Sequence, residues 1–213
     1  MDMSETLLEI CRHLHQRQLL AAADGNISYR LSEQEIVMTP SGVNKSRLKK
    51  QDLARLSLDG TVLSGRPSSE RLMHLEIYKA VPTAQAIVHA HPPTAIAWTL
   101  ARPEMKELPT EALPEVILAA GRIPVVPYAR PGTLEMGSKL LPFLPDCRIL
   151  ILARHGAVCW GESLEEAANG IERLEQVAGI LKLADELGGA VPLPFYEIRA
   201  LRELRKQIGP RII

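Results

Sequence analysis

Apolar residues recur at helical spacing from Ser4 onward: Leu7, Leu8, Ile10, Cys11, Leu14 and Leu19 share one side and predict an amphipathic first helix. An alanine run, Ala21 to Ala23, ends at the turn signal Asp24-Gly25-Asn26. The pattern then changes to that of strands. Ile27 to Leu31 and Glu35 to Thr39 read as two short strands, and Thr39-Pro40-Ser41-Gly42 as a loop. Leu53 to Leu58 and Thr61 to Leu63 predict a hairpin around Asp59-Gly60. Pro67-Ser68-Ser69 leads into a helix over about Glu70 to Lys79, with Leu72, Leu75, Ile77 and Tyr78 apolar. Ala86-Ile87-Val88 is the β-branched run of a buried strand, and Pro92-Pro93 ends it. A helical stretch, Thr94 to Leu100, follows; then a strand, Ile123 to Val126, and a helix, Thr133 to Leu144, after Pro131-Gly132. Arg148 to Ala153 and Ala157 to Trp160 are two more apolar strands. Ser163 with Glu166 three residues on fits a capping box, and the long helix it opens stops at Gly188-Gly189. A last amphipathic helix runs from about Phe195 to Ile208.

Short paired strands with interspersed helices predict an α/β sandwich on a largely antiparallel sheet. There is no internal repeat, low-complexity tract or linker, so residues 1–213 read as one domain. A chain of 213 residues, 46% hydrophobic and 23% charged, is long enough for a sizeable core. Its formal net charge of +0 argues against nucleic acid or an anionic membrane as partner. No apolar stretch is long enough to span a bilayer, and Met1 to Glu9 carries acids rather than the basic start of a signal peptide. The cysteines Cys11, Cys147 and Cys159 form no metal-spaced pair, and an odd count fits a disulfide framework poorly. Three reduced, buried thiols in a cytoplasmic protein is the simplest reading.

The candidate chemistry centres on His89-Ala90-His91. Strand side chains alternate faces, so His89 and His91 project side by side at a strand end. Two imidazoles on one rigid edge with a third from elsewhere make the donor set of an open zinc site, and His155, where an apolar strand turns, is the third candidate. A lone histidine is more often a surface or core residue, and His13, His15 and His74 carry no further signal. Glu70 begins a helix, where a carboxylate complements the helix dipole; beside a metal it would ligate or shuttle a proton. Asn26 after Gly25, Ser41-Gly42 after Pro40, and Ser68-Ser69 before a helix are each explained by turns. Together they also supply the hydroxyls and N–H groups of an anion site.

These pieces occur in the order and spacing of one family. Gly25-Asn26-Ile27-Ser28, Thr39-Pro40-Ser41-Gly42, Ser68-Ser69-Glu70, His89-Ala90-His91-Pro92, Pro127-Tyr128 with Gly132-Thr133, and Arg154-His155-Gly156 resemble the class II aldolase/adducin family, in its fuculose-phosphate aldolase branch, over about residues 5 to 190. The resemblance implies a three-layer α/β/α arrangement around a mostly antiparallel sheet and a homotetramer with active sites at subunit interfaces. It implies Zn2+ on His89, His91 and His155, and Glu70 as the acid/base carboxylate near or on the metal. It implies substrate phosphate on Asn26, Ser41, Gly42, Ser68 and Ser69.

The sequence departs from that branch at Leu113-Pro114-Glu115-Val116, where a tyrosine is replaced and Glu115 becomes the candidate second acid/base; no tail tyrosine follows Tyr196. Trp98, the segment from Leu108 to Leu118 and a neighbouring subunit are the expected sources of apolar contacts for an aldehyde. The implied reaction is cleavage of a ketose 1-phosphate (fuculose, 5-deoxyribulose or methylthioribulose 1-phosphate) to dihydroxyacetone phosphate and an aldehyde. Methylthioribulose-1-phosphate dehydration is the first alternative, pentulose 5-phosphate epimerisation another, and a non-catalytic adducin-like assembly module the last. Retention of all three histidines and Glu70 argues against the module.

Overall fold

The computed structural model describes residues 2–209. It contains eight strands in one sheet and seven α-helices in the order α1 (Met3–Gln16), β1 (Asn26–Arg30), β2 (Glu35–Met38), β3 (Ala54–Ser57), β4 (Val62–Ser64), α2 (Arg71–Ala80), β5 (Ala86–Ala90), α3 (Pro93–Ala101), α4 (Pro114–Ala119), β6 (Val125–Val126), α5 (Leu134–Ser138), β7 (Ile149–Leu152), β8 (Gly156–Gly161), α6 (Leu164–Glu186) and α7 (Phe195–Ile208). The strand order is β4-β3-β2-β1-β5-β8-β7-β6. Every pairing is antiparallel except β6 with β7. The fold is therefore the expected α/β class on a mostly antiparallel sheet.

Strand alternation divides the core between the two faces. Ile27 and Tyr29 of β1 and Ala86, Val88 and Ala90 of β5 bury on the face covered by α1, α3 and α6. Ile87 of β5 and Val158 and Trp160 of β8 bury on the other, against Met73, Leu75, Ile77 and Tyr78 of α2 and Met136 of α5. That alternation sends Asn26, Ser28 and His89 to the α2 face, and α2 carries Glu70 at its N-cap.

Several elements differ from the sequence expectation. The predicted helix over 133–144 is only α5 and a separate 3-10 turn, Leu141–Phe143. Pro142 lacks the N–H that a continuing helix needs from residue 142 to the carbonyl of residue 138. Gly137 is pressed against Glu76 of α2, where a Cβ would lie 2.8 Å from its Cγ. The strand predicted from Ile123 contracts to Val125–Val126, because Pro124 cannot donate to a ladder. The segment 108–118 holds a 3-10 turn and α4, opened by Pro114 in the first helical turn. Leu19 lies past the end of α1, in a turn after Gln16. At the start of α6, Ser163 accepts from the N–H of Glu166 at 3.1 Å as predicted, but Glu166 reaches back to the N–H of Glu162 at 2.7 Å, one residue further than a capping box requires.

Candidate metal centre

β5 ends at Ala90, and His89 and His91 leave it on the same side. The neighbouring hairpin between β7 and β8 brings His155 beside them, since Ala90 pairs with Ala157. The hairpin turn is held by an N–H of His155 bonded to Leu152 O at 3.0 Å, and by the N–H of Arg154 on Thr99 Oγ1 at 2.9 Å. Arg154 adopts φ +62, a left-handed conformation that costs a non-glycine residue about 1 kcal/mol. Such strain persists where surrounding contacts impose it, commonly at functional sites. Gly156 leaves room for the rings: a Cβ there would meet Ala90 O at 2.6 Å, His91 Cδ2 at 2.7 Å and His89 Cε1 at 3.0 Å.

The three Nε2 atoms converge. His89 Nε2 lies 3.2 Å from His91 Nε2 and 3.1 Å from His155 Nε2. His89 is fully buried, and its Nδ1 stands 2.9 Å from Ala157 O. That carbonyl can only accept, so the His89 proton sits on Nδ1 and a lone pair on Nε2 points at its neighbours. Lone pairs this close repel unless a cation lies between them. Nitrogens bound at about 2.0–2.1 Å in a tetrahedral site stand roughly 3.3 Å apart, close to what is seen. The donor set thus fits one divalent metal ion, with a side left open for further ligands. His89, His91 and His155 are the group that could hold a metal ion among the described residues.

Glu70 completes the cluster. Its Oε1 is 2.9 Å from His155 Nε2 and its Oε2 3.2 Å from His89 Nε2. The amide of Asn26 donates to Oε2 at 2.7 Å. Burial raises the Glu70 carboxyl, but its close contacts with the His89 and His155 rings outweigh it and hold the group well below the usual carboxylate range. Burial and the neighbouring His89 and His155 push His91 down to about 3, so it stays neutral and able to ligate a metal. A carboxylate beside neutral imidazoles suits both ligation and proton transfer.

The three loops named from the sequence are laced together next to this cluster. Thr39 N–H bonds Ile27 O at 2.9 Å, and Ile27 N–H bonds Thr39 Oγ1 at 3.0 Å. Ser41 N–H bonds Arg66 O and Ser68 N–H bonds Thr39 O, both at 3.2 Å. Ser68 Oγ accepts from the N–H of Glu70 at 3.3 Å. Gly132 closes over Ser69: a Cβ on it would be 3.6 Å from Ser69 O. Asn26, expected as a phosphate ligand, is buried and spends its amide on Glu70. Sequence reasoning misses Lys45 altogether. It is 1% exposed beneath these loops, and no pattern in the sequence separates it from the surface lysines Lys49 and Lys50.

Two candidates lie away from the histidine cluster within the single chain. Glu115 is exposed in the first turn of α4, and no hydrogen bond or ion pair joins it to the histidine cluster. Trp98 is only 7% exposed and donates its Nε1 to Ala178 O at 3.0 Å, so it packs α3 on α6 rather than facing a ligand. A cavity of about 810 Å³ lies elsewhere, beside Thr110, Glu111, Arg122, Cys147, Arg202 and Arg205. Its size does not make it the site, for it holds none of the convergent donors.

An α/β fold with a mostly antiparallel sheet, a three-histidine centre and a glutamate against it defines a metal-site enzyme architecture of the aldolase type. The chain belongs to the class II aldolase and adducin N-terminal domain family, whose model matches residues 5–181. It is 32% identical over 210 residues to the 3-oxo-tetronate 4-phosphate decarboxylase of Escherichia coli K12, covering 96% of this chain and 95% of that one. It is 32% identical over 187 residues to the L-fuculose phosphate aldolase of Methanococcus maripaludis, covering 88% and 99%. The crystal structure of YgbL from Escherichia coli superimposes with a TM-score of 0.87 at 32% identity, over 93% of this chain and 97% of that one. The decarboxylase and the aldolase are both lyases. Among the described residues no helix is long and apolar enough to cross a membrane.

Proposed function

We propose that the chain is a metal-dependent lyase that breaks a carbon–carbon bond beside the ketone of a phosphorylated sugar or sugar acid. The observation that carries this reading is the convergence of the His89, His91 and His155 Nε2 atoms with both carboxylate oxygens of Glu70 against them. A divalent cation on those nitrogens, Zn2+ by preference for imidazole donors, supplies the Lewis-acid charge that stabilises the oxygen turning negative as the bond breaks. Glu70, ionised and held by Asn26, moves the proton at the carbon left with the electron pair. Ser41, Gly42, Ser68 and Ser69 take the phosphate. Ser41 Oγ, Ser69 Oγ and the N–H groups of Gly42 and Ser69 have no protein partner among the described residues, so they are donors available to an anion. Asn26 contributes to that pocket through Glu70 rather than by direct contact. Phosphate binding then orients the ketone against the metal centre, turning remote binding energy into rate.

Two substrates fit this chemistry. Decarboxylation of a 3-oxo-tetronate 4-phosphate and cleavage of a ketose 1-phosphate leave the same three-carbon ketone phosphate and differ only in the departing piece, carbon dioxide or an aldehyde. We rank decarboxylation first. An aldehyde needs an acid or base at its oxygen, and the candidate, Glu115, stands exposed away from the cluster. Carbon dioxide needs none. Similarity over nearly the whole length of a decarboxylase supports the same order. Ketose 1-phosphate cleavage becomes the better reading if a second subunit delivers a group such as Glu115 to the site. We infer a homotetramer with shared sites, as the family resemblance implies; the His91 and His155 side chains are 23% and 15% exposed in the single chain. The cysteines Cys11, Cys147 and Cys159 are buried and unpaired, which supports a reducing, cytoplasmic setting. We treat residues 1–213 as one catalytic domain. The dehydratase, epimerase and assembly-module readings rank behind both lyase reactions.

The test is product analysis with zinc-loaded protein. Dihydroxyacetone phosphate with equimolar carbon dioxide from the 3-oxo acid phosphate is the expected result. Dihydroxyacetone phosphate with an aldehyde from a ketose 1-phosphate shifts the assignment to aldolase. Neither product from either substrate overturns the lyase reading.

A further inference from the structure

The Lys45 side chain is a charge without a counterion. It is 1% exposed, and its Nζ donates to Ala23 O at 2.7 Å, Val43 O at 2.9 Å and Pro40 O at 3.4 Å. An ammonium has three protons, so these carbonyls use all of them. Carbonyl dipoles satisfy the hydrogen bonds but do not neutralise the charge. No carboxylate lies within ion-pairing distance of it among the described residues, and Asp24 and Glu70 act on it only from further off. A buried cation with no paired anion is costly unless something negative sits nearby in the working protein. The three carbonyls also come from two loops, residues 23–26 and 39–43, whose ends carry Asn26, Ser41 and Gly42. Burial pushes the Lys45 ammonium down, yet the three acceptors favour its charged form.

We propose that Lys45 is a positioning residue for a phosphate dianion: it clamps the two loops together from beneath and lends them an uncompensated positive charge that the ligand's phosphate completes. It does not touch the ligand, since it has no proton left to give. The inference rests on the reading, made above, that Ser41, Gly42, Ser68 and Ser69 hold a phosphate.

The test compares dihydroxyacetone phosphate with dihydroxyacetone as ligands of the zinc-loaded protein, by calorimetry, in the wild type and in Lys45→Met and Lys45→Gln. Methionine keeps the volume and removes both clamp and charge. Glutamine removes the charge and keeps two of the three donors on a stem one atom shorter, and it carries the test if the methionine variant fails to fold. A charge acting through a loop's thickness of protein is worth about a tenfold change in affinity or more. The expected result is therefore an affinity for the phosphate ligand about tenfold weaker or more in both variants, with dihydroxyacetone binding and zinc content unchanged. In turnover the same loss appears in KM rather than kcat. Wild-type affinity for the phosphate ligand in Lys45→Gln overturns the charge role. Equal losses for both ligands overturn it too, because they report a collapsed loop. If the wild type binds the two ligands alike, the phosphate cradle itself is refuted and this inference falls with it, while metal-assisted cleavage still stands on its own product test.

Discussion

His89 and His91 stand two residues apart at the end of β5, whereas the groups beside them that we propose face a phosphate come from three loops separated by long stretches of chain. The first region is assembled by strand periodicity and one hairpin. Its nitrogens are fixed by backbone pairing, Gly156 clearance and the carbonyl of Ala157. The second is assembled by hydrogen bonds between loops, with Lys45 anchoring the two that carry Asn26 and Ser41-Gly42. A strand end gives rigidity, which metal geometry needs within a few tenths of an ångström. Laced loops give a wide set of donors, which a phosphate needs more than close control of spacing.

The comparison breaks most visibly if the rigid region is damaged. Replacing His89 by Ala removes the central nitrogen, and we expect zinc content in purified protein near zero and turnover down about 10³-fold. Retained zinc and activity would mean that the ligand set is wrong. A milder lesion is Gly156→Ala, since the new Cβ meets Ala90 O, His91 and His89 at 3.0 Å or less. Zinc affinity should fall about 10- to 100-fold, as for lost outer support of a metal ligand. Competition with a chromogenic chelator measures it, and an unchanged constant would show that the hairpin tolerates movement. The smallest effect concerns His74, which α2 places beneath the site with Nδ1 2.7 Å from Ser28 Oγ. Burial and the nearby His89 lower it to about 3, below an unfolded value near 6.5. The folded chain therefore binds fewer protons than the unfolded chain between those values. Its contribution to stability is complete above about pH 6.5 and is lost as pH falls toward 3, by up to roughly 1.4 kcal/mol per pH unit. In metal-free protein, His74→Asn should flatten the fall of denaturation midpoint between pH 6.5 and 4. Parallel curves would place the titration elsewhere.

The two regions also differ in how legible they are in the sequence. Alternation in a β-branched run is local information, and by itself it puts His89 and His91 on one side of a strand. His155 follows from an apolar strand ending in a turn. The contact of Asn26 with Glu70 spans 44 residues, and no local pattern reports it. Local patterns make Asn26 a candidate anion ligand, and only the fold shows that its amide donates to the Glu70 carboxylate. Lys45 is invisible because nothing in the sequence tells a lysine that finds three carbonyls from one that finds water. Among elements, the long α6 and the hairpin at Asp59-Gly60 are legible from caps and turn residues. The broken helix after Thr133 is not, since its apolar spacing continues across Pro142 while its hydrogen bonds cannot. Glu115 is singled out by position in the chain, and position gives no distance to the cluster.

The central claim is that Glu70 exchanges a proton at a carbon activated by a metal on the three histidines. The direct measurement is deuterium uptake from heavy water into dihydroxyacetone phosphate, followed by NMR, for zinc-loaded wild type, chelator-treated wild type and zinc-loaded Glu70→Gln. The account predicts incorporation at the hydroxymethyl carbon only in the first sample, with Glu70→Gln at least about 10²-fold slower while still carrying zinc. Exchange at wild-type rate in Glu70→Gln, or exchange that survives the chelator, would contradict it.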